Sequence, residues 1–241
     1  MITKMQNLMT LICLGIALWT LSSCEEVLGI KGKGDILTEV RPVDNFHALD
    51  IAAPGTIELR VDSVFRVEVR CEESIIDYLE TIEDNGVLKI LFNRDVYDVD
   101  DLNILVSAPA WDGIKVSGSA NVEVPDAISG NTLDLGISGS GHIKVFTAQF
   151  DKIKATITGS GNIDIDGNAD DLQCSITGSG NFDALNCPVK TATVQISGSG
   201  DARLDVSESL HVTITGSGDV EYRGDAQVTS NISGSGKIRK I

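Results

Sequence analysis

Asp164, Asp183, Arg203 and Glu221 fall at the same place in successive repeats of this 241-residue chain. Paired carboxylates are the equipment of glycoside hydrolysis, and a carboxylate-bound cation with a basic partner is another route to cleaving polysaccharide. Stacked repeats would instead make these residues a row of alternating, solvated charges on an outward strand face. His47, His142 and His211 share no close spacing, and no G-x-S-x-G elbow occurs. No catalytic residue is therefore assigned, and a β-helical polysaccharide-processing enzyme stands only as the alternative reading.

Three other constellations could bind rather than react. Asp95, Asp98, Asp100 and Asp101 offer hard oxygen ligands of the kind Ca²⁺ takes. They also read as a solvated acidic loop, so no metal site is assigned. The repeated Gly-Ser-Gly phrases are followed by further strand, not by a helix, and lack the later glycine of a dinucleotide loop. No cofactor is implied. Asn121, Asn162, Asn181, Asp201 and Asp219 each stand four residues past the opening of a repeat phrase, beside rows of Ser and Thr hydroxyls. They are the candidate binding residues, since such rows could meet a glycan or a surface protein through many weak hydrogen bonds. They could equally bond one another as stacking ladders.

What positions these residues is a phrase, [Ser/Thr]-Gly-Ser-Gly, that opens at Ser138, Thr158, Thr177, Ser197, Thr215 and Ser233, with a Ser-Gly-Ser-Ala form at Ser117. The successive steps from Ser117 are 21, 20, 19, 20, 18 and 18 residues. A fixed period near 20 marks stacked copies of one unit. Before each phrase the residues alternate, as in Leu172-Gln173-Cys174-Ser175-Ile176, and the same parity resumes after it with Ile143, Ile163, Phe182, Ala202 and Val220. Period-two alternation is the mark of a strand with one buried face. If the parity runs through the phrase, both glycines point inward, at a corner where inward Cβ atoms would collide. The expected fold is all-β: a parallel β-helix of about 18–21 residues per coil. Length varies around Pro125 to Gly130 and Asp166 to Asp171, which marks a variable corner.

Residues 113–241 carry the regular coils, and residues 35–112 are strand-rich but irregular. Leu49 to Leu59 lays over Ile114 to Val124, Ile51 on Val116 and Gly55 on Ala120, as a degenerate coil about three periods earlier. Further strands are expected at Phe65 to Arg70, Val87 to Phe92 and Leu102 to Ser107, with a helix at Ser74 to Ile82 before an Asp84-Asn85-Gly86 turn. This part should cover the otherwise open first coil.

Residues 1–23 read as a secretory signal: Lys4, then an apolar run from Leu8 to Leu21, too short to span a bilayer. Leu21-Ser22-Ser23-Cys24 resembles a bacterial lipobox, which implies cleavage before Cys24 and lipid on its thiol, with residues 24–34 as a tether to a membrane. Without Lys4, 18 basic residues face 35 acidic ones, a net charge of −17. Such a surface repels nucleic acid. Cys71, Cys174 and Cys187 remain, as buried thiols or with a Cys174–Cys187 bridge.

The lipobox, the FHALDIAAPGTIELR opening, the ETIEDNGVLKILF stretch and the ISGSGH, ITGSGN, ISGSGD and ITGSGD phrases together resemble one family. It is a domain of unknown function described as "putative auto-transporter adhesin, head GIN domain", common in Bacteroidetes. The resemblance covers roughly residues 44 to 240. It implies an exported β-helical protein with an adhesive role and supplies no catalytic residues. This chain has no autotransporter barrel, so lipid would replace it as the anchor. The expectation is a non-catalytic binding or structural module of the cell envelope, lipid-anchored at the outer membrane, with either face of that membrane open.

Overall fold

The alternation of apolar and polar residues becomes strand almost throughout. The computed structural model describes residues 29–241, so the expected signal segment and the lipidation at Cys24 lie outside the described residues. The chain forms β1 (Ile30–Lys31), β2 (Ile36–Arg41), β3 (Ala48–Ala52), β4 (Thr56–Val61) and β5 (Arg66–Glu72), then the short helix α1 (Glu73–Ile76). It continues through β6 (Leu79–Asp84), β7 (Val87–Phe92), β8 (Val96–Tyr97), β9 (Asn103–Ala108) and β10 (Gly113–Gly118). Five long strands follow: β11 (Asn121–Gly139), β12 (His142–Gly159), β13 (Asn162–Gly178), β14 (Asn181–Gly198) and β15 (Ala202–Gly216). The described chain closes with β16 (Val220–Arg223), β17 (Gln227–Gly234) and β18 (Ile238–Lys240).

Successive long strands pair in parallel with every repeat phrase in register, Ser117 on Ser138, Thr158, Thr177, Ser197, Thr215 and Ser233. The result is a β-solenoid of about six turns. Each coil turns at the phrase, where the strand breaks, and again inside the long strand, where register shifts fall at Val124/Ala127, Val145/Ala148, Asp164/Ala169 and Ala184/Pro188. The second bend is the variable corner. The two bends divide each coil into a sheet leading into the phrase and a sheet leaving it. Between them the ladders of Leu133, Ile153 and Leu172, of Ile137, Ile157 and Ile176, and of Ile143, Ile163 and Phe182 form one continuous core.

Both glycines of the phrase lie against the backbone of the coil beneath, but only the second is buried, which corrects the expectation that both point inward. The first takes a positive φ in every copy, from Gly118 at 120° to Gly234 at 133°, a conformation that strains any residue with a Cβ. The second is buried, from Gly141 through Gly218. At Gly200 a Cβ would stand 2.2 Å from the Gly180 carbonyl oxygen and 2.7 Å from Ile176 Cγ2. Ala120 takes this place in the first regular coil, where Ser-Gly-Ser-Ala replaces the phrase.

The irregular part caps the stack by an unexpected route. Ile51 does pair with Val116, and Asn121 donates to Gly55 O, so β3 and β4 form a coil equivalent to the others. That coil is not three turns away but the immediate neighbour of β10 and β11. On its other side lie β7 and β9, made later in the chain. The chain thus leaves the stack after Val61, lays β5, β6 and β7 over the top, and returns below. Antiparallel strands end the stack, β2 on β5 and β6 on β7. Phe46, Phe65 and Trp111 lock the excursion where it leaves and re-enters: ring centroids stand 5.1 and 5.9 Å apart, and Trp111 Nε1 donates to Arg60 O at 2.9 Å. The helix expected over Ser74 to Ile82 is only the four residues of α1. Leu79–Asp84 is a strand instead, because the Asn85-Gly86 turn, with φ of 54° and 83°, folds it back on β7 as a hairpin.

Alanine at Gly200 should destabilise the domain by about 1–3 kcal/mol through overpacking, and alanine at Gly198 by at least as much, because its Cβ would stand 2.2 Å from the Gly178 carbonyl oxygen in addition to the strain of its φ. Ser199→Ala, between them on the exposed corner, should cost under about 0.5 kcal/mol. Urea denaturation midpoints of the three variants check the order.

Candidate functional site

The outward rows of the solenoid divide cleanly by chemistry. On the sheet leaving the phrase, the residue four past its opening forms one row: Asn121, His142, Asn162, Asn181, Asp201, Asp219 and Lys237. From Asn162 onward the row is a ladder of internal bonds. Asn181 donates from Nδ2 to Asn162 Oδ1 at 2.9 Å, and Asp201 N donates to Asn181 Oδ1 at 3.3 Å. Asp219 N donates to Asp201 Oδ1 and Lys237 N to Asp219 Oδ1, each at 2.8 Å. Four of the five candidate binding residues are thereby brought together, with side-chain oxygens spent on holding the next coil. Asn121 stands apart, cut off from Asn162 by His142, whose Nε2 lies 3.2 Å from Asp164 Oδ2.

Two residues further along, Glu123, Lys144, Asp164, Asp183, Arg203, Glu221 and Arg239 form a second row in register. Arg203 reaches Asp183 at 3.0 Å and Glu221 at 3.5 Å, and Arg239 reaches Glu221 at 3.7 Å. Glu221 and Asp183 are about a third exposed and Arg203 about half, on an open sheet face. Lys144 lies over the exposed Phe146 ring, 5.0 Å from its centroid. These carboxylates neutralise their neighbours in a ladder, which is what lets charges stack at strand spacing.

The sheet leading into the phrase is different. On the last four coils its sixteen outward positions run from Asp171 to Ser233, and fourteen of them are Ser, Thr, Asn or Gln. Asp171 and His211 are the exceptions, in a chain with 35 acidic residues. Thr191 Oγ1 donates to Asp171 and His211 shares a hydrogen with Thr229. Among the described residues, Ser175, Thr177, Gln195, Ser197, Thr213 and Thr215 make no side-chain hydrogen bond; one-coil spacing of about 4.8 Å separates stacked hydroxyls beyond hydrogen-bond reach. The hydroxyl rows therefore do not satisfy one another. Open depressions on this face are lined by Thr156, Gln173, Ser175, Thr193 and Gln195 beside Lys154, and, on the earlier coils, by Ser117, Ser138 and Thr158 beside Asp50, Lys115 and Asp134. The row two before the phrase was not among the sequence candidates. Its signal was the absence of charge.

Among the described residues, no three His, Cys, Asp or Glu side chains converge as a metal site. In the acidic loop Asp98 is paired with Lys31, and Asp101 with Arg70 at 2.9 Å. Beside it the buried Glu72 accepts from Asp100 N at 2.8 Å. Cys71, Cys174 and Cys187 are all free and buried, so Cys174 and Cys187 do not pair. Burial pushes the Cys71 and Cys187 thiols up to about 12 and raises Cys174 as well, which makes them inert toward thiol reagents.

Comparison with known proteins follows the fold. A family described as "Putative auto-transporter adhesin, head GIN domain" matches residues 45–226. A crystal structure of a "putative adhesin" from Bacteroides fragilis superposes with a TM-score of 0.84 at 20% identity, covering 88% of this chain and 100% of that one. A "putative lipid binding protein" from Parabacteroides distasonis gives 0.74 at 25% identity, over 88% and 99% of the two chains. A "putative adhesin" from Parabacteroides merdae gives 0.72 at 23%, over 88% and 98%. No match was found among curated proteins.

The hydrogen bond from Arg239 at 2.7 Å, helped by Lys237 N–H, holds the Asp219 carboxyl below the ordinary carboxylate range. Its folded value lies below the unfolded one, so its stabilisation is complete above about pH 4 and fades as the pH falls through the folded value. Asp219→Asn should therefore speed exchange of the Ile238–Lys240 amides at pH 7, and by a smaller factor at pH 3, where the unfolded-state carboxyl is already protonated. Hydrogen exchange at the two pH values, corrected for intrinsic rates, reads the difference.

Proposed function

Because the chain belongs to the family described as "Putative auto-transporter adhesin, head GIN domain", we propose that it is a non-catalytic, adhesin-like module of the cell envelope. Lipid on Cys24 holds it at the outer membrane, and the sheet leading into the repeat phrase is its contact surface. The observation that carries the reading is the division between the two sheets. From Asn162 onward the polar atoms of the charged sheet are mostly committed to ladders and ion pairs, whereas the hydroxyls and amides of Ser175, Thr177, Gln195, Thr213 and Thr215 have no partner among the described residues.

A flat, uncharged field of donors and acceptors matches a neutral, hydroxyl-rich polymer. Each hydroxyl contributes little, and affinity comes from many of them engaged together along the stack. An anionic polymer would be repelled by the net charge of −16. A glycan is therefore the partner the surface fits best. Catalysis is the less favoured reading: Asp164, Asp183 and Arg203 do line an open depression with His142, but Arg203 is tied to both Asp183 and Glu221 and His142 to Asp164, which leaves no free acid–base pair there.

The purified domain should be retained on an array of neutral glycans. Lysine at both Thr177 and Thr213 should reduce retention at least about tenfold while leaving the melting temperature within about 2 °C, since both sites are outward. Retention by surface proteins alone would replace the glycan with a protein partner, and retention by neither would sink the binding reading. On intact cells, protease should shave the domain from the surface. A domain that survives shaving but is released from the membrane fraction by Cys24→Ser is anchored on the inner side instead.

A further inference from the structure

Ten large apolar side chains are exposed among the described residues, and seven of them lie between Ile36 and Tyr97. The regular coils from Gly113 to Arg223 expose only Phe146. The exposed apolar surface is thus gathered in the capping part. Its centre is β2, the outermost strand of its sheet, which carries Ile36, Leu37 and Val40 at 38%, 37% and 61% exposure. The two charges of β2, Glu39 and Arg41, pair with each other at 3.0 Å, so the strand presents no net charge. An edge strand of this kind invites a partner.

The chain enters the fold at the same end. β1 pairs with β8, Gly32 N donates to Tyr97 O, and Lys33 N donates to Ser74 Oγ at 2.9 Å, so the entering segment is fastened beside α1 before it runs into β2. Gly29 is five residues past Cys24, a reach of at most about 18 Å. Lipid on Cys24 therefore cannot sit far from Ile36 and Leu37.

From this placement we propose that the capped end rests on the bilayer, with the open edge of β2 and the face that carries Ile36 and Val40 in the headgroup boundary and the coils projecting away from the membrane. The inference depends on the reading of Cys24 as lipidated. The anchor supplies a high local concentration of bilayer, so the apolar contact need not hold the protein by itself. Asp95 and Asp100 on the neighbouring loop disfavour anionic lipid, and a zwitterionic headgroup layer is the surface that fits. Projection of the coils would leave the hydroxyl sheet free along its length.

The test uses the full chain expressed with its own leader, carrying Val40→Cys or, as the distal control, Ser217→Cys. Because the three native thiols of the fold are buried, a polarity-sensitive fluorophore attaches at the new site. In phosphatidylethanolamine vesicles the label at position 40 should shift to the blue and be quenched by brominated acyl chains, and the label at position 217 should do neither. Water-like emission at both positions, from protein that floats with the vesicles and carries acyl mass on Cys24, overturns the docking and leaves the anchor standing. Absence of acyl mass on Cys24 overturns the anchor reading itself. A blue-shifted label at position 40 in dilute Cys24→Ser protein without vesicles means that a second copy or another part of the chain covers β2, and overturns the bilayer as its occupant.

Discussion

Everything regular in this structure depends on one close approach: the backbone of one corner lying directly on the backbone of the next. A Cβ on the second glycine of each phrase would stand between 2.0 and 2.6 Å from the carbonyl oxygen of the residue beneath it. No ordinary side chain tolerates that distance, so from Gly141 on the coils meet at the corner with hydrogen in place of a methyl group; Ala120, which stacks on the capping coil, is the one exception. Once they meet there, register follows. With period-two alternation a slip of one residue would turn every Ile outward, and the aligned corners forbid it. The ladders of isoleucine, of asparagine and of charge are all consequences of that alignment.

Parity and period made the coils legible before any coordinates, because buried residues alternate with more exposed ones in the strands before the phrases from Ser138 to Thr215; only the terminal strand β17 leaves its inward row largely exposed, Ile232 included. The capping part was only partly legible. The strands β5, β7 and β9 were found within a residue or two, β2 was not foreseen and β6 was read as helix, and the match of Ile51 to Val116 was correct as a pairing. It misled as a distance, since separation along the chain says nothing of separation in space once an excursion intervenes. Leu79 to Ile82 reads as helix by local pattern, but Asn85-Gly86 closes a hairpin there and long-range pairing overrides propensity.

The candidate site was legible in a different measure. Asn162, Asn181, Asp201 and Asp219 were identified as a row, and the sequence left open whether the row binds outward or bonds inward. The distinction turns on tenths of an ångström. An asparagine or aspartate oxygen reaches the backbone N–H of the next coil, whereas a serine or threonine hydroxyl on the neighbouring sheet is too short to reach its equivalent across one strand spacing. Side-chain length thus sorts the rows into mortar and open surface. Charge follows the same division, with ion pairs on one sheet and almost none on the other.

The placement of β3 and β4 between strands made later has a consequence for assembly in time. Their neighbours on one side end at Ala108 and on the other begin at Gly113. A chain threaded through a membrane from its first residue delivers this coil early and must keep it unfinished until Glu123 has followed, because only then are both of its edges covered. Past that point each further coil has a completed template waiting and can zip on as it emerges. The leading half is thereby closed by contacts between segments distant in sequence, whereas each later coil pairs chiefly with the coils next to it in the chain.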